Sequence, residues 1–452
     1  TYLEQLSNFQ TYDKRLAEWI RSDAPEDLAK RYLANVGAWG VPELRGIIHG
    51  PILREDGSLL HIPGYDRATG LLLLSTEASY PAVPVDPTPD QVRAALEALW
   101  EPFAAFPYVD DLSRGVQLAA LLTAVQRPIL PTAPAFGWNA YRAGSGKSKA
   151  AKATGWLSGS QATESPWSDT PEEQRKKLMS VLLAGPQTLL LDNISSVLKS
   201  DVLCAILTSE HYSDRKLGVS EDVSAPTQVL VMATGNNLSV AGDLSRRILI
   251  ATIDHGVEHP ERLSFGFDPV ARARERWLQY RTAALTVLRG FYSAGAPAGG
   301  PGRMGSYEAW DAMVRQCVVW VRDNALAPFG LDDPMLAVDQ NWDADPETRK
   351  LTALMDGWAS VIGTDRPTTV AQVIRKASGE AFVEDLRRPA QDVEQTLSDA
   401  LDEIAGEGGR INSRRLGRWI ERHAGRIVNG RRFVKAGGRS GVSRWALEVV
   451  RQ

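Results

Sequence analysis

The stretch that decides the fold is Ala135-Phe-Gly-Trp-Asn-Ala140, followed directly by Tyr141-Arg-Ala-Gly-Ser-Gly-Lys-Ser148. An apolar strand here leads into a glycine-rich turn that opens a helix, the placement that a phosphate cradle needs. Glycines let main-chain N–H groups approach phosphate oxygens, a lysine neutralises the β and γ oxygens, and a serine hydroxyl ligates magnesium. The predicted cradle consists of Gly144, Ser145, Gly146, Lys147, Ser148 and Lys149.

One position departs from the usual eight-residue motif, which begins with glycine: Tyr141 stands there instead. A short Gly-Ser-Gly-Lys-Ser run can also be a flexible turn, so the interpretation depends on further motifs downstream.

Two more apolar strands follow, and each ends in polar residues. Leu189-Leu-Leu-Asp192-Asn193 ends in an acid that is expected to hold magnesium, although Asp192 could instead cap the next helix. Val229 to Asn237 ends in two amides, Asn236 and Asn237, that are expected to sense the γ-phosphate or orient the attacking water. The order of these motifs predicts hydrolysis of ATP with Mg²⁺.

Arginines come next, in Asp243-Leu-Ser-Arg246-Arg247. Either arginine is a candidate to stabilise charge on the γ-phosphate of a neighbouring subunit, as arginine fingers do.

Periodicity and composition predict the domain plan. Between Pro134 and Asp254 short apolar strands alternate with helices, which is typical of an α/β fold with a parallel sheet covered on both faces. Proline-rich residues 80–89 and glycine-rich residues 293–305 indicate linkers. We therefore predict a small α+β module (1–88), an α/β motor (89–292), a helical domain (306–390) and a C-terminal DNA-binding domain (391–452).

The chain has 452 residues, of which 43% are apolar and 23% charged, as expected for several folded domains. Its longest apolar runs fall far short of the roughly 20 residues that cross a bilayer. Cys204 and Cys317 lie among apolar residues, which predicts buried thiols in a cytoplasmic protein. No leader precedes Thr1, and we expect the chain to be a fragment of a longer protein.

The net charge of -4 hides an asymmetry, since residues 410–452 carry twelve basic side chains against Glu421 and Glu448. Residues 412–420 combine an apolar face with arginines, and residues 428–433 indicate a turn in a β-wing, so the segment is typical of a winged helix-turn-helix. The predicted DNA contacts are Arg414, Arg415, Arg418, Arg431 and Arg432; a solvated face or an acidic protein partner is the alternative.

The succession of Gly-Ser-Gly-Lys-Ser, Leu-Leu-Leu-Asp-Asn, residues 213–218, Ala-Thr-Gly-Asn-Asn and Leu-Ser-Arg-Arg resembles the helicase part of phage and integrative-element primase-helicases, the superfamily III branch of AAA+ motors. The resemblance runs from about Leu44 to the C-terminus. It implies an AAA+ P-loop core, a hexameric ring with ATP between subunits, single-stranded or forked DNA in the pore, and a primase domain or partner. It also implies a pore hairpin at residues 211–226, so that Lys216 and Arg215 are predicted DNA contacts, although Arg215 could serve ATP instead; a solvated loop is the alternative.

The general base is open. Many AAA+ motors carry glutamate after the strand-end aspartate, where this chain has Asn193. Glu173 is a candidate base, unless it only forms a capping box with Thr170, and Asp192 acting alone is a further option. The sequence thus predicts an ATP-dependent DNA helicase, with a nucleotide-switched initiator or a DNA-packaging or transposition ATPase as alternatives.

Overall fold

The computed structural model describes residues 8–35, 42–74, 81–215, 222–378, 391–439 and 442–450. The predicted DNA contact Lys216 lies outside these residues. The first described elements are a hairpin, a helix and two small sheets: β1 (Gln10–Asp13), β2 (Glu18–Arg21), α1 (Glu26–Ala34), β3 (Gly46–Ile48), β4 (Ile52–Leu53), β5 (Leu59–Leu60), β6 (Gly64–Asp66) and β7 (Leu71–Leu73). The turn at Asp56-Gly57 joins β4 to β5 in an antiparallel pair, as predicted.

Two helices precede the central sheet, α2 (Pro89–Trp100) and α3 (Asp111–Gln126). Thr88 caps α2 in the predicted way, because its hydroxyl accepts from the Gln91 N–H while the Gln91 side chain accepts from the Thr88 N–H. Nearly all of α3 is buried, including the polar side chains of Gln117 and Gln126.

The central sheet has five strands, all parallel. Their order is β14 (Ile248–Ile253), β8 (Ala135–Ala140), β13 (Leu230–Asn236), β10 (Thr188–Ile194) and β9 (Thr163–Pro166). The prediction of a parallel sheet flanked by helices is therefore confirmed. Its strands and the elements between them are β8 (Ala135–Ala140), α4 (Lys147–Trp156), β9 (Thr163–Pro166), α5 (Pro171–Ala184), β10 (Thr188–Ile194), α6 (Asp201–Leu207), β11 (His211–Arg215), β12 (Asp222–Pro226), β13 (Leu230–Asn236) and β14 (Ile248–Ile253).

Both faces of the sheet are covered. Leu190 belongs to one apolar core, whereas its neighbours Leu189 and Leu191 belong to the other, because successive side chains of a strand point to opposite faces. Buried-on-both-sides strands of this kind read as continuous apolar runs in the sequence.

The glycine-rich segment 293–305, predicted as a linker, packs against the α/β domain that contains the central sheet. It follows α7 (Pro269–Ser293) and precedes α8 (Glu308–Trp310), a π-helical turn (Asp311–Arg315) and α9 (Gln316–Asp323). The buried Arg315 guanidinium pairs with Asp311 and Asp333 and donates to the carbonyls of Pro301 and Gly302. Buried residues from Met304 to Ala337 share the core on one face of the sheet, so the predicted division between 292 and 306 does not separate two cores.

The remaining elements are α10 (Leu336–Ala344), α11 (Pro346–Val361), β15 (Thr368–Thr369), α12 (Val370–Ala377), α13 (Gln391–Ala405), β16 (Gly406–Glu407), β17 (Arg410–Ile411), α14 (Ser413–His423), β18 (Arg431–Arg439) and β19 (Val442–Val449). Strands β15, β19 and β18 form an antiparallel sheet. The four helices α11, α12, α13 and α14 share one apolar core with this sheet. In this core the ring centroids of Trp358 and Phe433 lie 5.0 Å apart. The predicted boundary at 390 therefore crosses a shared core.

Cys204 and Cys317 are free thiols and both are buried. Within the described ranges, the structure contains no helix long and apolar enough to pass through a membrane.

A buried arginine joins the small N-terminal sheets to the α/β domain that contains the central sheet. Arg281, on α7, donates to the carbonyl oxygens of Pro51 (2.6 Å), Leu157 (2.6 Å), Val125 (3.1 Å) and Gly50 (3.3 Å). Buried carbonyl groups need such partners, because a buried acceptor without a donor loses its hydrogen bonds to water and forms none in the protein, which costs free energy of folding. Three separate segments, at residues 50–51, 125 and 157, thus share one guanidinium.

We expect Arg281→Met to lower the free energy of unfolding by about 3 kcal/mol, since it leaves buried carbonyls without donors. Urea unfolding followed by tryptophan fluorescence measures the change. Arg274→Met, at an exposed position of the same helix, is the matched control and should leave the midpoint unchanged. Equal midpoints for the two variants would show that the four carbonyl contacts do not stabilise the fold.

Candidate functional site

The glycine-rich turn lies at the carboxyl end of β8 and leads into α4. Gly144 and Gly146 both have left-handed backbones, with φ of +78° and +84°. A Cβ at Gly144 would lie 2.7 Å from the Cβ of Glu261, and one at Gly146 would lie 3.0 Å from a ring carbon of Phe106. Both positions therefore require glycine, for backbone conformation and for space.

The ammonium of Lys147 donates a 2.7 Å hydrogen bond to the side-chain oxygen of Asn236. Asn236 ends β13, which pairs directly with β8. The strand that leads into the glycine-rich turn and the strand that ends in the amide are therefore neighbours. Lys147 is only 7% exposed, and burial lowers its pKa, while the nearby Asp192 carboxylate acts in the opposite direction. An amide oxygen thus holds the lysine at the mouth of the turn.

A second cluster joins the helix after the turn to β10. The Ser148 hydroxyl donates to Asp192 Oδ1 at 2.7 Å, and the Thr234 hydroxyl donates to the same oxygen. A serine hydroxyl beside an aspartate carboxylate is the oxygen set with which Mg²⁺ is held alongside phosphates. These two side chains fit that ion.

The two candidate amides differ in what they contact. Asn236 reaches Lys147, whereas the contact described for the exposed Asn237 is made by its backbone N–H, which donates to the Ala140 carbonyl at 3.0 Å. Asn237 and Asn193 both have left-handed backbones, with φ of +51° and +56°. The structure therefore favours Asn236 as the amide that faces the phosphate turn.

A cleft of about 430 Å³ opens beside the turn. One part is polar, formed by residues 144–149, and the other is largely apolar, with Phe106, His255, Phe265 and Phe267 in its wall. The ring nitrogen Nε2 of His255 lies 3.2 Å from the Ser145 carbonyl oxygen. Tyr141 is 56% exposed and does not line the cleft, so the residue that replaces glycine leaves the cradle open.

The aromatic wall was missed by sequence reasoning. The signal available was Ser264-Phe265-Gly266-Phe267, two aromatic residues in a loop shortly after β14, but nothing in the sequence places that loop against the turn. A flat base and an aromatic wall are complementary, since every base has a π-face.

Glu173 lies on the exposed side of α5. Its carboxylate pairs with Lys176 at 2.9 Å, and this hydrogen bond lowers the pKa of Glu173. Thr170 makes no side-chain cap hydrogen bond, so the capping-box alternative is wrong. The structure does not bring Glu173 into the wall of the cleft.

Arg246 and Arg247 share the carboxylate of Asp243. Arg247 is 8% exposed and also donates to the Cys204 carbonyl and the Thr208 hydroxyl, which fixes it within its own chain. Arg246 is partly exposed and is the more accessible of the two.

The ammonium of Lys149 pairs with Asp268 at 3.0 Å and not with Asp192, the carboxylate that Ser148 contacts. Asp268 also caps α7 by accepting from two backbone N–H groups. Lys149 still lines the cleft and joins the turn to α7.

Strands β11 and β12 form the hairpin that was predicted for residues 211–226. Asp214 anchors it, because both carboxylate oxygens accept from Arg175 on α5, at 2.8 and 3.0 Å. The neighbouring Arg215 is exposed at the end of β11.

The C-terminal arginines fall into two groups. Arg414, Arg415 and Arg418 are exposed on α14. Arg431 and Arg432 on β18 pair with Asp356 and Glu448 instead. All five belong to the predicted set of DNA contacts, and the structure divides that set by burial and pairing.

No family model and no curated protein matches the chain. Among solved structures, the apo A form of the NrS-1 C-terminal region is 14% identical, with a TM-score of 0.39 and 98% of each chain covered. SCCmec type IV Cch, titled an active helicase, is 14% identical with a TM-score of 0.37, covering 94% of this chain and 82% of that one. JCV helicase with a bound small molecule is 15% identical with a TM-score of 0.23, covering 52% and 67%.

Two of these three structures are of helicases.

We expect Gly144→Ala to weaken binding of a magnesium nucleoside triphosphate by about tenfold or more, since a left-handed alanine costs roughly 1–2 kcal/mol and its Cβ displaces the loop at Glu261. Isothermal titration calorimetry measures the affinity. Gly185→Ala is the matched control, because Gly185 is also left-handed, with φ of +65°, but its Cβ meets nothing within 4 Å. Wild-type affinity in Gly144→Ala would exclude this turn as the phosphate cradle.

Proposed function

We propose that the protein is an ATP-dependent DNA helicase that works in the replication of a phage or mobile genetic element. The observation that carries the proposal is the hydrogen-bonded cluster of Lys147, Asn236, Ser148 and Asp192 at the carboxyl edge of the parallel sheet. This cluster adjoins a cleft with a polar and an aromatic part. A nucleoside triphosphate has the same two parts, a charged tail and a flat base.

In the proposed reaction the main-chain N–H groups of residues 144–148 and the Lys147 ammonium bind the phosphate tail. Ser148 and Asp192 would hold Mg²⁺, which would supply positive charge beside the phosphate tail. When the phosphates draw Lys147 away from Asn236, the amide oxygen becomes free to accept from the attacking water. Binding and water positioning are then linked through one hydrogen bond.

Asp192 is the carboxylate inside this cluster, and it already accepts from Ser148 and Thr234. Glu173 remains a proposed base only if α5 moves, because its carboxylate is paired with Lys176 and its lowered pKa makes it a weak proton acceptor. We therefore assign orientation of the water to Asn236.

The proposal includes a homo-oligomeric, hexameric ring with ATP bound between subunits. Arg246 then acts in trans on the γ-phosphate, since Arg247 is held inside its own chain. In this proposal the hairpin of β11 and β12 lines the pore, and Arg215 and Lys216 are the proposed contacts with single-stranded DNA. A primase domain or partner, and a winged-helix role for the C-terminal domain, belong to the same proposal.

A second candidate is a replication initiator that binds DNA and is switched by nucleotide without unwinding. Asn193 favours the initiator, because an asparagine cannot accept a proton. Many AAA+ motors carry at this position a glutamate that acts as the general base. The two candidates differ in turnover rather than in binding.

We expect Lys147→Ala to abolish DNA-stimulated ATP hydrolysis and the separation of a forked duplex, because the phosphates lose their buried cation. Phosphate release and strand displacement measure the two activities. Lys30→Ala, which removes an exposed lysine on α1, is the matched control. Nucleotide binding by the wild-type chain with negligible turnover, on any DNA, would overturn the motor and support the switch.

We expect Asn236→Ala to lower the turnover number by roughly 100-fold or more while the affinity for ATP changes little, because the amide acts on the water rather than on the phosphates. Steady-state kinetics and equilibrium binding separate the two effects. Asn237→Gly is the control, since glycine preserves the left-handed backbone of the neighbouring amide residue. A larger loss in Asn237→Gly than in Asn236→Ala would reverse the assignment.

A further inference from the structure

Four arginines form one exposed face of α14, which we call the arginine face: Arg414, Arg415, Arg418 and Arg422. Within the described residues none of the four side chains has a carboxylate partner, although the neighbouring Glu421 pairs with Lys435. The other C-terminal arginines at 431 and 432 are neutralised by ion pairs. Arg410 and Arg444 are also exposed, but the four arginines of α14 are the ones that share one side of one helix.

The opposite side of α14 is firmly packed. Leu416 and Ile420 are fully buried and Trp419 nearly so, all within the C-terminal core. The Trp419 indole N–H donates to Glu347 on α11. Side chains packed in this way fix the rotation of the helix, and so fix the direction in which the arginine face points.

The arginine face goes against the local preferences of a helix. Arg414 and Arg415 lie in the first turn, where the helix dipole disfavours cations, and this turn contains no acidic residue. Arg414, Arg418 and Arg422 repeat at four-residue intervals, which places like charges next to one another. Charges kept where they destabilise the isolated helix indicate an anionic partner.

The spacing fits DNA. Arg422 lies eight positions after Arg414, which corresponds to a rise of about 12 Å along the helix. The major groove of duplex DNA has a similar width of roughly 12 Å. Guanidinium groups also bind phosphate oxygens in a bidentate manner. One helix of this length can therefore contact phosphates across a groove.

The same face lacks what single-stranded DNA requires. Aromatic side chains that stack on unpaired bases are the usual means of binding a single strand. On and beside α14 the aromatic residues Trp419, Phe433 and Trp445 are buried in the core. The surface offers cations without stacking partners.

We propose that the arginine face of α14 is a binding site for the phosphate backbone of duplex DNA, separate from the single-strand path of the motor. The inference deepens the proposed DNA function but does not require ATP turnover. It adds Arg422 to the predicted contacts and gives Arg431 and Arg432 a structural role within the chain. A motor with such a site would hold the unopened duplex while its ring acts on the separated strand.

The test measures binding of the full chain to a blunt 20-base-pair duplex and to a 20-nucleotide single strand, by fluorescence anisotropy over a range of salt concentrations. We expect Arg418→Gln with Arg422→Gln to weaken duplex binding by about tenfold and to reduce the slope of log affinity against log salt by about 2, since each lost phosphate contact removes about 0.9. The affinity for the single strand should remain at the wild-type level.

The matched control is Lys30→Gln with Arg31→Gln, which removes the same charge from exposed positions of α1. A duplex affinity and salt slope equal to those of this control would overturn the inference, as would an equal loss on single-stranded DNA. Lys147→Ala keeps the outcomes distinct, because it should abolish hydrolysis and leave duplex binding intact. Circular dichroism checks that α14 remains folded in the double variant.

Discussion

The hydrogen bond between the Lys147 ammonium and the Asn236 amide depends on most of the fold. It requires a left-handed Gly146 to turn the chain into α4, and it requires β13 to pair with β8 in the register that ends both strands together. Burial lowers the lysine pKa, and the charge is held by an amide dipole and by the carboxylate of Asp192 nearby. A buried cation without a permanent counter-ion bonded to it is prepared to exchange its partner for a phosphate.

Much of this arrangement could be predicted, because it follows from local rules. Lys147, Asp192 and Asn236 follow or end apolar strands. The carboxyl ends of parallel strands lie at the same edge of a sheet, so these residues are predicted at that edge whatever the order of the strands. The choice between Asn236 and Asn237 could not be predicted, since it depends on the left-handed backbone of Asn237. The aromatic wall of the cleft was also out of reach, because Phe106 and Phe265 come from segments far apart in the chain that meet only in the folded structure.

Composition misled the domain boundaries for a physical reason. Glycine-rich residues 293–305 have the composition of a linker, yet Arg315 needs carbonyl oxygens close by, and glycines let the backbone approach it. At Gly300, for example, an added Cβ would lie 2.6 Å from the Arg315 guanidinium. Charge had a similar effect in the tail, where a count of arginines cannot distinguish Arg431, which is paired with Asp356, from Arg418, which is exposed.

Arg281 holds the far end of α4, the helix that follows the glycine-rich turn. Leu157, whose carbonyl it binds, directly follows α4, and α4 begins at Lys147. The same guanidinium binds the carbonyls of Gly50 and Pro51, so one side chain joins the end of α4 to the small N-terminal sheets. A displacement of the glycine-rich turn along the axis of α4 would therefore be transmitted through Arg281 to those sheets, about 15 Å away.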